Sequence, residues 1–286
     1  MKKADRRRRL AGIKKWCARH PRRLLALKWL LLFGLFWLVA WERLDPDFGW
    51  HLQAGNYFRT HGVPAHDIFT YTAHNFSWID HEWGNDILVS LLYGWGGYGL
   101  LVTLYSALWS GALSIMAGRA RLFVLLTATA AMLPYAGIRP IAWSVFFLAV
   151  TLRILNSQNR RWRVALIPLF IMWANLHGGF VIGLVAVAFY VVKRRDYRLA
   201  GLLLFCILAT CINAYGPRLY IELARTFGDP EIHSQISEWT PFLIFSTSRP
   251  LIFLWASVAI IFNGKRWREY VQFSTLMLLA TISASR

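Results

Sequence analysis

Apolar segments that approach or reach the length of a membrane crossing recur along this chain of 286 residues, and short basic clusters separate them. A helix needs about 20 apolar residues to cross the hydrocarbon of a bilayer. The composition agrees, because 57% of the residues are hydrophobic and the mean hydropathy is +0.40. The sequence therefore predicts an all-α fold, a polytopic transmembrane bundle of about nine helices, some of them short or broken.

The hydropathy pattern places the first helix over the apolar run 24–41, after a basic tail at 1–23. Near 86–118 a surface helix can precede the second span. Later helices are predicted near 122–138, 140–155, 164–176, 179–192, 199–213, 250–263 and 270–284. The membrane domain then covers 24–286, and its two long loops are 42–85 and 214–249.

The distribution of charge orients these helices. Starting from a cytoplasmic N-terminus places 25 of the 32 lysines and arginines on the inner side with three acids, and leaves seven basic residues with eleven acids outside. This asymmetry follows the positive-inside rule. We therefore expect a multi-pass membrane protein with both long loops on the exoplasmic side. Because topology explains the net charge of +18, no nucleic acid is expected as a partner.

Two acids, Asp45 and Asp47, follow the first helix at its exit from the membrane, and His51 comes four residues later. Carboxylates at this depth can bind a divalent cation or act as a general base. The pattern is equally typical of an Asp/Pro turn in which Asp47 caps a following interfacial helix. Spacing alone leaves both interpretations open.

The segment "DHEWGND" at 80–86 opens the next helix and brings His81 and Glu82 to the membrane surface. Acids at a helix N-terminus are favoured by the helix dipole, which is the structural explanation. If this segment faces the acids of the preceding turn across a cavity, His81 and Glu82 could hold a phosphate or a metal. The candidate metal ligands are then Asp45, Asp47 and Glu82, although neighbouring helical positions reach one ion only where the turn is irregular.

Other polar residues fall on the same predicted side. Asn175 and His177 lie between two apolar runs in "WANLHGGF", where they can line a wet cavity or serve packing. Arg139 precedes a proline and can pair with phosphate oxygens. Glu238 and Trp239 in "ISEWTPF" suit sugar recognition, but also suit an interfacial aromatic belt.

An ordered set of motifs carries a resemblance to a known superfamily. "GWHLQAG", "HDIFTYT", "WIDHEW", "RP", "WANLHGGF", "NAYG" and "EWTP" follow one another along nearly the whole chain. In this order they resemble the GT-C superfamily of integral-membrane glycosyltransferases, in particular bacterial proteins related to the lipid-linked-sugar mannosyltransferases and arabinosyltransferases. The resemblance implies a location in the bacterial plasma membrane.

The resemblance also implies an activity. Such enzymes transfer a sugar from a polyprenyl-phosphate donor and carry an essential acid in the first exoplasmic loop. This catalytic role would fall on Asp47 or Asp45, with Asp47 favoured because it lies closer to His51. The residues implied as donor or cavity contacts are His51, His81, Glu82, Arg139, Asn175, His177, Glu238 and Trp239, and a divalent cation could assist them.

Two other classes of function fit the same residues. A transporter or flippase of a polar or lipid-linked substrate would place them along its path. An inactive scaffold for envelope assembly is the other alternative, because members of the superfamily usually have more helices and often a soluble C-terminal domain. A chain that ends at Arg286 would then be a fragment or a short homologue.

Overall fold

The computed structural model describes residues 20–72, 76–117 and 122–229, and within these ranges the protein is helical throughout, without a β-strand. Nine α-helices occupy the described ranges, and two short 3-10 turns, Leu133–Tyr135 and Arg160–Ala165, connect some of them. In chain order the helices are α1 (Pro21–Glu42), α2 (Phe48–His61), α3 (Trp83–Ala117), α4 (Leu122–Met132), α5 (Ile141–Leu155), α6 (Leu166–Leu176), α7 (Phe180–Arg194), α8 (Tyr197–Thr210) and α9 (Arg218–Gly228).

The all-α prediction is confirmed for this part of the chain. The helices predicted near 250–263 and 270–284 lie outside the described residues, as does most of the basic tail. The predicted loops at 42–85 and 214–249 contain α2 and α9, so the helical content of these segments is higher than expected. Both helices are shorter and more polar than a membrane crossing, which is why hydropathy alone does not identify them.

Two helices in the described part are long and apolar enough to cross a membrane. They contain the stretches Leu25–Glu42 in α1 and Trp83–Met116 in α3. Many leucines of α1 point away from the protein, and Leu30 is 67% exposed. The remaining apolar helices are shorter than 18 residues, as at Ile141–Leu155 and Tyr197–Thr210.

The long helix α3 organises the bundle. It packs against α1, α2 and α5, while α6 and α7 pack against α8. It bends at Gly97, whose φ of 62° and ψ of −161° only glycine adopts readily. This bend separates a first part, which begins directly after Glu82 and carries Asn85 and Asp86, from the second part of α3. It lies within the stretch 86–118, where the sequence predicts a surface helix before a span.

The core joins the second part of α3 to α1, α5, α6 and α7 through large side chains. Its largest fully buried members include Trp109, Trp173, Tyr105, Phe36 and Phe170. Burying an aromatic side chain contributes about 2 kcal/mol or more to the free energy of folding. This core holds the helices in register, so that several of their ends meet on one side.

Candidate functional site

Polar residues from five separate segments meet at one end of the bundle. The segments are the turn after α1, the first turns of α2 and α3, the start of α5 and the α6–α7 turn. The basic α5–α6 and α7–α8 connections lie at the other ends of the same helices. Most of the residues predicted from sequence as site residues are therefore brought to a single region, which we call the polar centre: Asp45, Asp47, His51, Asp80, His81, Glu82, Asp86, Arg139, Ser144 and His177.

Asp45 lies at the edge of the polar centre and forms an ion pair with Arg139. The Arg139 Nε atom is 3.1 Å from Asp45 Oδ2, and Asp45 is 7% exposed. Burial raises the pKa of Asp45, while the backbone N–H of Asp47 and the charge of Arg139 act against that rise. The pair fixes the guanidinium in front of α5, beside the point where α1 ends.

Asp47 differs from Asp45 because its carboxylate is exposed and is not engaged in an ion pair. It occupies the N-cap position of α2, as one interpretation of the sequence expected, but its side chain makes no capping hydrogen bond. It is exposed, and its carboxylate has no ion-pair or hydrogen-bond partner in the described part of the chain. A carboxylate with open lone pairs is what a general base requires.

His51 joins α2 to the first turn of α3. Its Nδ1 atom lies 2.7 Å from Asp86 Oδ1, and its Nε2 atom lies 3.8 Å from Glu82 Oε2. Burial alone would lower the pKa of His51, but the hydrogen bond with Asp86 and the charges of Asp86, Glu82 and Asp80 outweigh it and raise the pKa to about 9. His51 is therefore an imidazolium at neutral pH, paired with the fully buried Asp86.

Asp80 is a second buried acid close to Asp86. Its Oδ1 atom accepts a hydrogen bond from the backbone N–H of Glu82 at 2.8 Å, whereas Asp80 Oδ2 and Asp86 Oδ2 have no hydrogen-bond partner in the described part of the chain. Burial and the charge of Asp86 raise the pKa of Asp80 well above its usual value. Two acids are therefore buried close together near the His51 ring.

Three imidazoles surround the Glu82 carboxyl group. His177 Nε2 lies 3.3 Å and His81 Nε2 lies 3.5 Å from Glu82 Oε1, and His51 approaches the other oxygen. Burial raises the pKa of Glu82 to about 8, with the charges of Asp86, Asp47 and Asp45 adding to the rise and the charge of His51 opposing it. Glu82 can therefore hold or release a proton near neutral pH.

The hydrogen-bond network fixes the tautomer of His177. The backbone N–H of Gly179 donates to His177 Nδ1 at 2.9 Å, so this nitrogen is an acceptor. Trp173 Nε1 donates to Ser144 Oγ at 2.7 Å, which leaves the Ser144 hydroxyl to donate to the same Nδ1 at 2.6 Å. The ring proton is then on Nε2, directed at Glu82.

The electrostatic environment of the two other imidazoles differs from that of His51. Burial lowers the pKa of His177 to about 3, and the charges of His81 and His51 lower it further. Burial also lowers the pKa of His81, and the charge of His51 adds to this effect, whereas the charge of Asp86 opposes it. Because the His81 side chain is 38% exposed, we expect a smaller shift there than at His177, whose side chain is 19% exposed.

Close contacts between backbones hold these segments together. A Cβ atom at Gly55 would lie 1.9 Å from the carbonyl oxygen of Asp86, and one at Gly84 would lie 2.4 Å from that of Asn175. At Gly179 a Cβ atom would be 2.3 Å from Ser144 Oγ. These positions accept only glycine without a shift of the neighbouring element, so the glycines allow the polar centre to close.

Asn85 anchors the first turn of α3 from below. Its Oδ1 atom accepts hydrogen bonds from the hydroxyl of Tyr105 and from Trp143 Nε1, the latter at 3.1 Å. Asn85 is fully buried. Since a buried amide oxygen with two donors is well satisfied, this contact positions the neighbouring Asp86 and Glu82 rather than offering a site of its own.

Asn175 has a contact that serves packing. Its Nδ2 atom donates to the carbonyl of Ile171 at 2.7 Å and to that of Ile212 at 2.8 Å. The side chain thereby joins the end of α6 to the end of α8, and its role in substrate binding stays a prediction. Glu238 and Trp239 lie outside the described residues.

The polar centre lacks the oxygen-rich ligand set that Mg²⁺ or Ca²⁺ needs. No group of three or more His, Cys, Asp or Glu side chains in the described ranges is placed to hold a metal ion. Among the predicted ligands, Asp45 is paired with Arg139, and Glu82 has imidazoles rather than carboxylates as its nearest neighbours. We therefore derive no chemical step through a metal.

Several members of the polar centre were not singled out from the sequence. Ser144 lies in the apolar helix α5, and neither its neighbours nor its spacing indicates that it faces His177. Asp80 and Asp86 were noted only as part of their motif. Asp86 meets His51 where α2 crosses α3, a tertiary relationship that local sequence does not carry.

In comparisons with protein-family models, curated proteins and solved structures, the chain matched none of them.

Proposed function

We propose that this chain is a membrane glycosyltransferase that moves a sugar from a polyprenyl-phosphate donor to an acceptor on the exoplasmic side of a bacterial plasma membrane. The observation that carries the proposal is the position of the exposed Asp47 beside the Asp45–Arg139 ion pair, where α1 ends. The Asp47 carboxylate, which can act as a base, and the Arg139 cation thus both lie near the end of a membrane-length helix. Transfer from a lipid phosphate is expected to use groups of these two kinds at such a position.

Membrane residence is supported by the apolar surface as well as by helix length. Leu31 in α1 is 66% exposed, and Phe205 in α8 is 60% exposed. Large exposed apolar side chains are costly in water but favourable against lipid. In the proposed multi-pass topology, α1, α3 and the shorter helices are embedded, the N-terminus is cytoplasmic and the polar centre faces outward.

The proposed chemistry is a single displacement with inversion at the anomeric carbon. The acceptor hydroxyl forms the new bond to this carbon, and its proton passes to the Asp47 carboxylate. The bond from the anomeric carbon to the phosphate oxygen breaks, and the lipid phosphate leaves with the electron pair. A general base of this kind contributes about 10²- to 10⁴-fold to a rate.

Arg139 and Glu82 have distinct proposed roles. The Arg139 guanidinium, oriented by Asp45, stabilises the charge that develops on the leaving phosphate. Glu82, with a pKa raised to about 8 by burial and by the neighbouring acids, presents a neutral carboxyl group beside the phosphate. A neutral Glu82 avoids the repulsion that a carboxylate would exert on the anionic donor.

The test is transfer by the full chain, reconstituted in liposomes with polyprenyl phosphates that carry radiolabelled hexoses or pentoses. We expect label to move from the lipid to an added acceptor sugar or glycan. A protein that binds none of these donors and transfers no label from them would contradict the proposal.

A second candidate function is favoured by one observation. The buried acids Asp80 and Asp86 lie close to the His51 imidazolium, and buried clusters of titratable groups are typical of proton-linked transport. Movement of an unmodified substrate into proteoliposomes, dependent on a pH gradient, would establish transport. Covalent transfer without net movement would establish the glycosyltransferase.

A further inference from the structure

A second polar region lies at the end of the bundle opposite the polar centre. It is formed by the turn after α5, the 3-10 turn before α6 and the α7–α8 connection. These segments enclose a pocket of about 540 Å³ whose charged lining consists of four arginines and one aspartate: Arg160, Arg163, Arg194, Arg195 and Asp196. The pocket takes no part in the proposed transfer.

Arg163 is the buried arginine of this pocket. The residue is 8% exposed, and its Nη1 atom donates to Asp196 Oδ2 at 2.8 Å. Its Nε atom is also buried, and it has no hydrogen-bond partner in the described part of the structure. A buried guanidinium N–H without an acceptor is costly, and because Arg163 also lines the pocket, its guanidinium group can donate to an anion that is bound there.

The pocket carries an excess of positive charge. Asp196 already pairs with Arg163 and also caps α8 by accepting from the backbone N–H of Leu199 at 3.2 Å. Arg160 and Arg195 are exposed at the rim, and no described carboxylate lies within 4 Å of either. Arginines gathered in a concave site raise the local concentration of anions.

Arg194 is held in place at the wall of the pocket by two contacts. Its Nη1 atom donates to the carbonyl of Leu155 at 2.8 Å, and its guanidinium lies 4.7 Å from the centre of the Tyr190 ring. The cationic group is therefore ordered before any ligand arrives. An ordered arginine loses less conformational entropy on binding than a free one.

An apolar groove continues from the basic pocket. The two share Arg160, Arg163 and Asp196, and the groove extends along α6 and α8 over Val164, Ile167 and Phe205. Val164 is 63% exposed and so open to a ligand chain. A basic pocket that leads directly into an exposed apolar groove is complementary to an anionic headgroup joined to an acyl chain.

We propose that this pocket and groove bind an anionic phospholipid of the cytoplasmic leaflet, with its phosphate against Arg163 and an acyl chain along α6 and α8. This inference rests on the membrane topology proposed above, and it is independent of glycosyl transfer. The positive-inside rule explains why basic residues gather on this side. It does not explain a buried, unsatisfied Arg163 at the head of an apolar groove.

The test is lipid binding to the detergent-purified full chain, measured by native mass spectrometry with phosphatidylglycerol and with phosphatidylcholine. The informative variant is Arg160→Gln/Arg195→Gln, because both residues are exposed and their replacement leaves the core intact. The matched control is Arg153→Gln/Arg161→Gln, which removes two exposed arginines from the same end without touching the pocket. The buried position is tested separately by Arg163→Gln.

We expect the chain to prefer phosphatidylglycerol, and the rim variant to lose about tenfold or more in affinity for it, while the control loses less than about twofold. A folded Arg163→Gln protein should lose as much as the rim variant. Equal losses in the rim and control variants, or equal affinity for both lipids, would overturn the proposal. Displacement of the lipid by millimolar glycerol phosphate would instead show a site for soluble anions and would also overturn it.

Discussion

The Nδ1 atom of His51 lies 2.7 Å from Asp86 Oδ1, where α2 crosses the first turn of α3. This contact connects the two ends of the 42–85 segment, since His51 follows the Asp45–Asp47 turn and Asp86 follows Glu82 in sequence. Both partners are almost completely buried. The pair is thus the structural link on which the geometry of the polar centre depends.

Replacing His51 should destabilise the protein strongly. In His51→Gln, Asp86 would lose its cationic partner while staying buried, and breaking a buried ion pair in this way costs about 3 kcal/mol or more. We expect the melting temperature in detergent, followed by tryptophan fluorescence, to fall by roughly 5 °C or more. The control His66→Gln removes an exposed histidine from the same segment and should have little effect. Equal shifts in both variants would contradict this role of His51.

Stability should fall as the pH rises above neutrality. The pKa of His51 is raised from 6.5 to about 9, so its contribution is fully present below pH 6.5 and is lost as the pH rises through 9. The pKa of Glu82 is raised from 4.5 to about 8, and loss of its proton in the same range acts in the same direction. The lowered pKa values of His81 and His177 act in the opposite direction, but mainly below pH 6.5, where a histidine in the unfolded chain is protonated. Melting temperatures measured from pH 7 to pH 9 should therefore decrease.

Two variants separate the sources of this pH dependence. His51→Gln and Glu82→Gln should each flatten the decrease between pH 6.5 and pH 9, because each removes one of the titrating groups. His66→Gln should leave the slope unchanged. A wild-type melting temperature that stays constant or rises over this interval would show that the polar centre does not retain these protons.

The contact between α2 and α3 can be tested at two glycines of the same helix. A Cβ atom at Gly55 would lie 1.9 Å from the backbone oxygen of Asp86, whereas one at Gly49 would have no atom within 4 Å. Gly55→Ala should therefore lower stability by about 1–3 kcal/mol. Gly49→Ala should be neutral or stabilising by up to about 1 kcal/mol, since alanine favours a helix. Denaturant titration of both variants distinguishes these outcomes, and a neutral Gly55→Ala would refute the close crossing.

Hydropathy predicted the apolar helices well because burial and membrane insertion both select long apolar runs. The run 24–41 became α1, and 140–155 became α5 within one residue. The pattern at 122–138 ended early because Pro134 closes α4 in a 3-10 turn. Helix α2 was predicted only as one of two interpretations. Its sequence is moderately polar and lacks a clear helical periodicity, and the helix is stabilised by packing on α3.

The candidate site was predictable as a set of residues but not as an arrangement. Acids beside a membrane-length helix stand out in the sequence, so Asp45, Asp47 and Glu82 were identified directly. The pairing of Asp45 with Arg139 joins positions 94 residues apart, and no local pattern encodes it. The role of Ser144 likewise depends on how α5 and α6 pack.

The most direct measurement is the rate of sugar transfer by Asp47→Asn and Asp45→Asn, with Glu42→Gln as a matched control. Glu42 is an exposed acid at the end of α1, three residues before Asp45. We expect Asp47→Asn to lose about 100-fold or more in rate through loss of the base. Asp45→Asn should lose activity because Arg139 loses its ion pair with Asp45, and Glu42→Gln should keep its rate. Full activity in the Asp45→Asn/Asp47→Asn double variant would contradict the account.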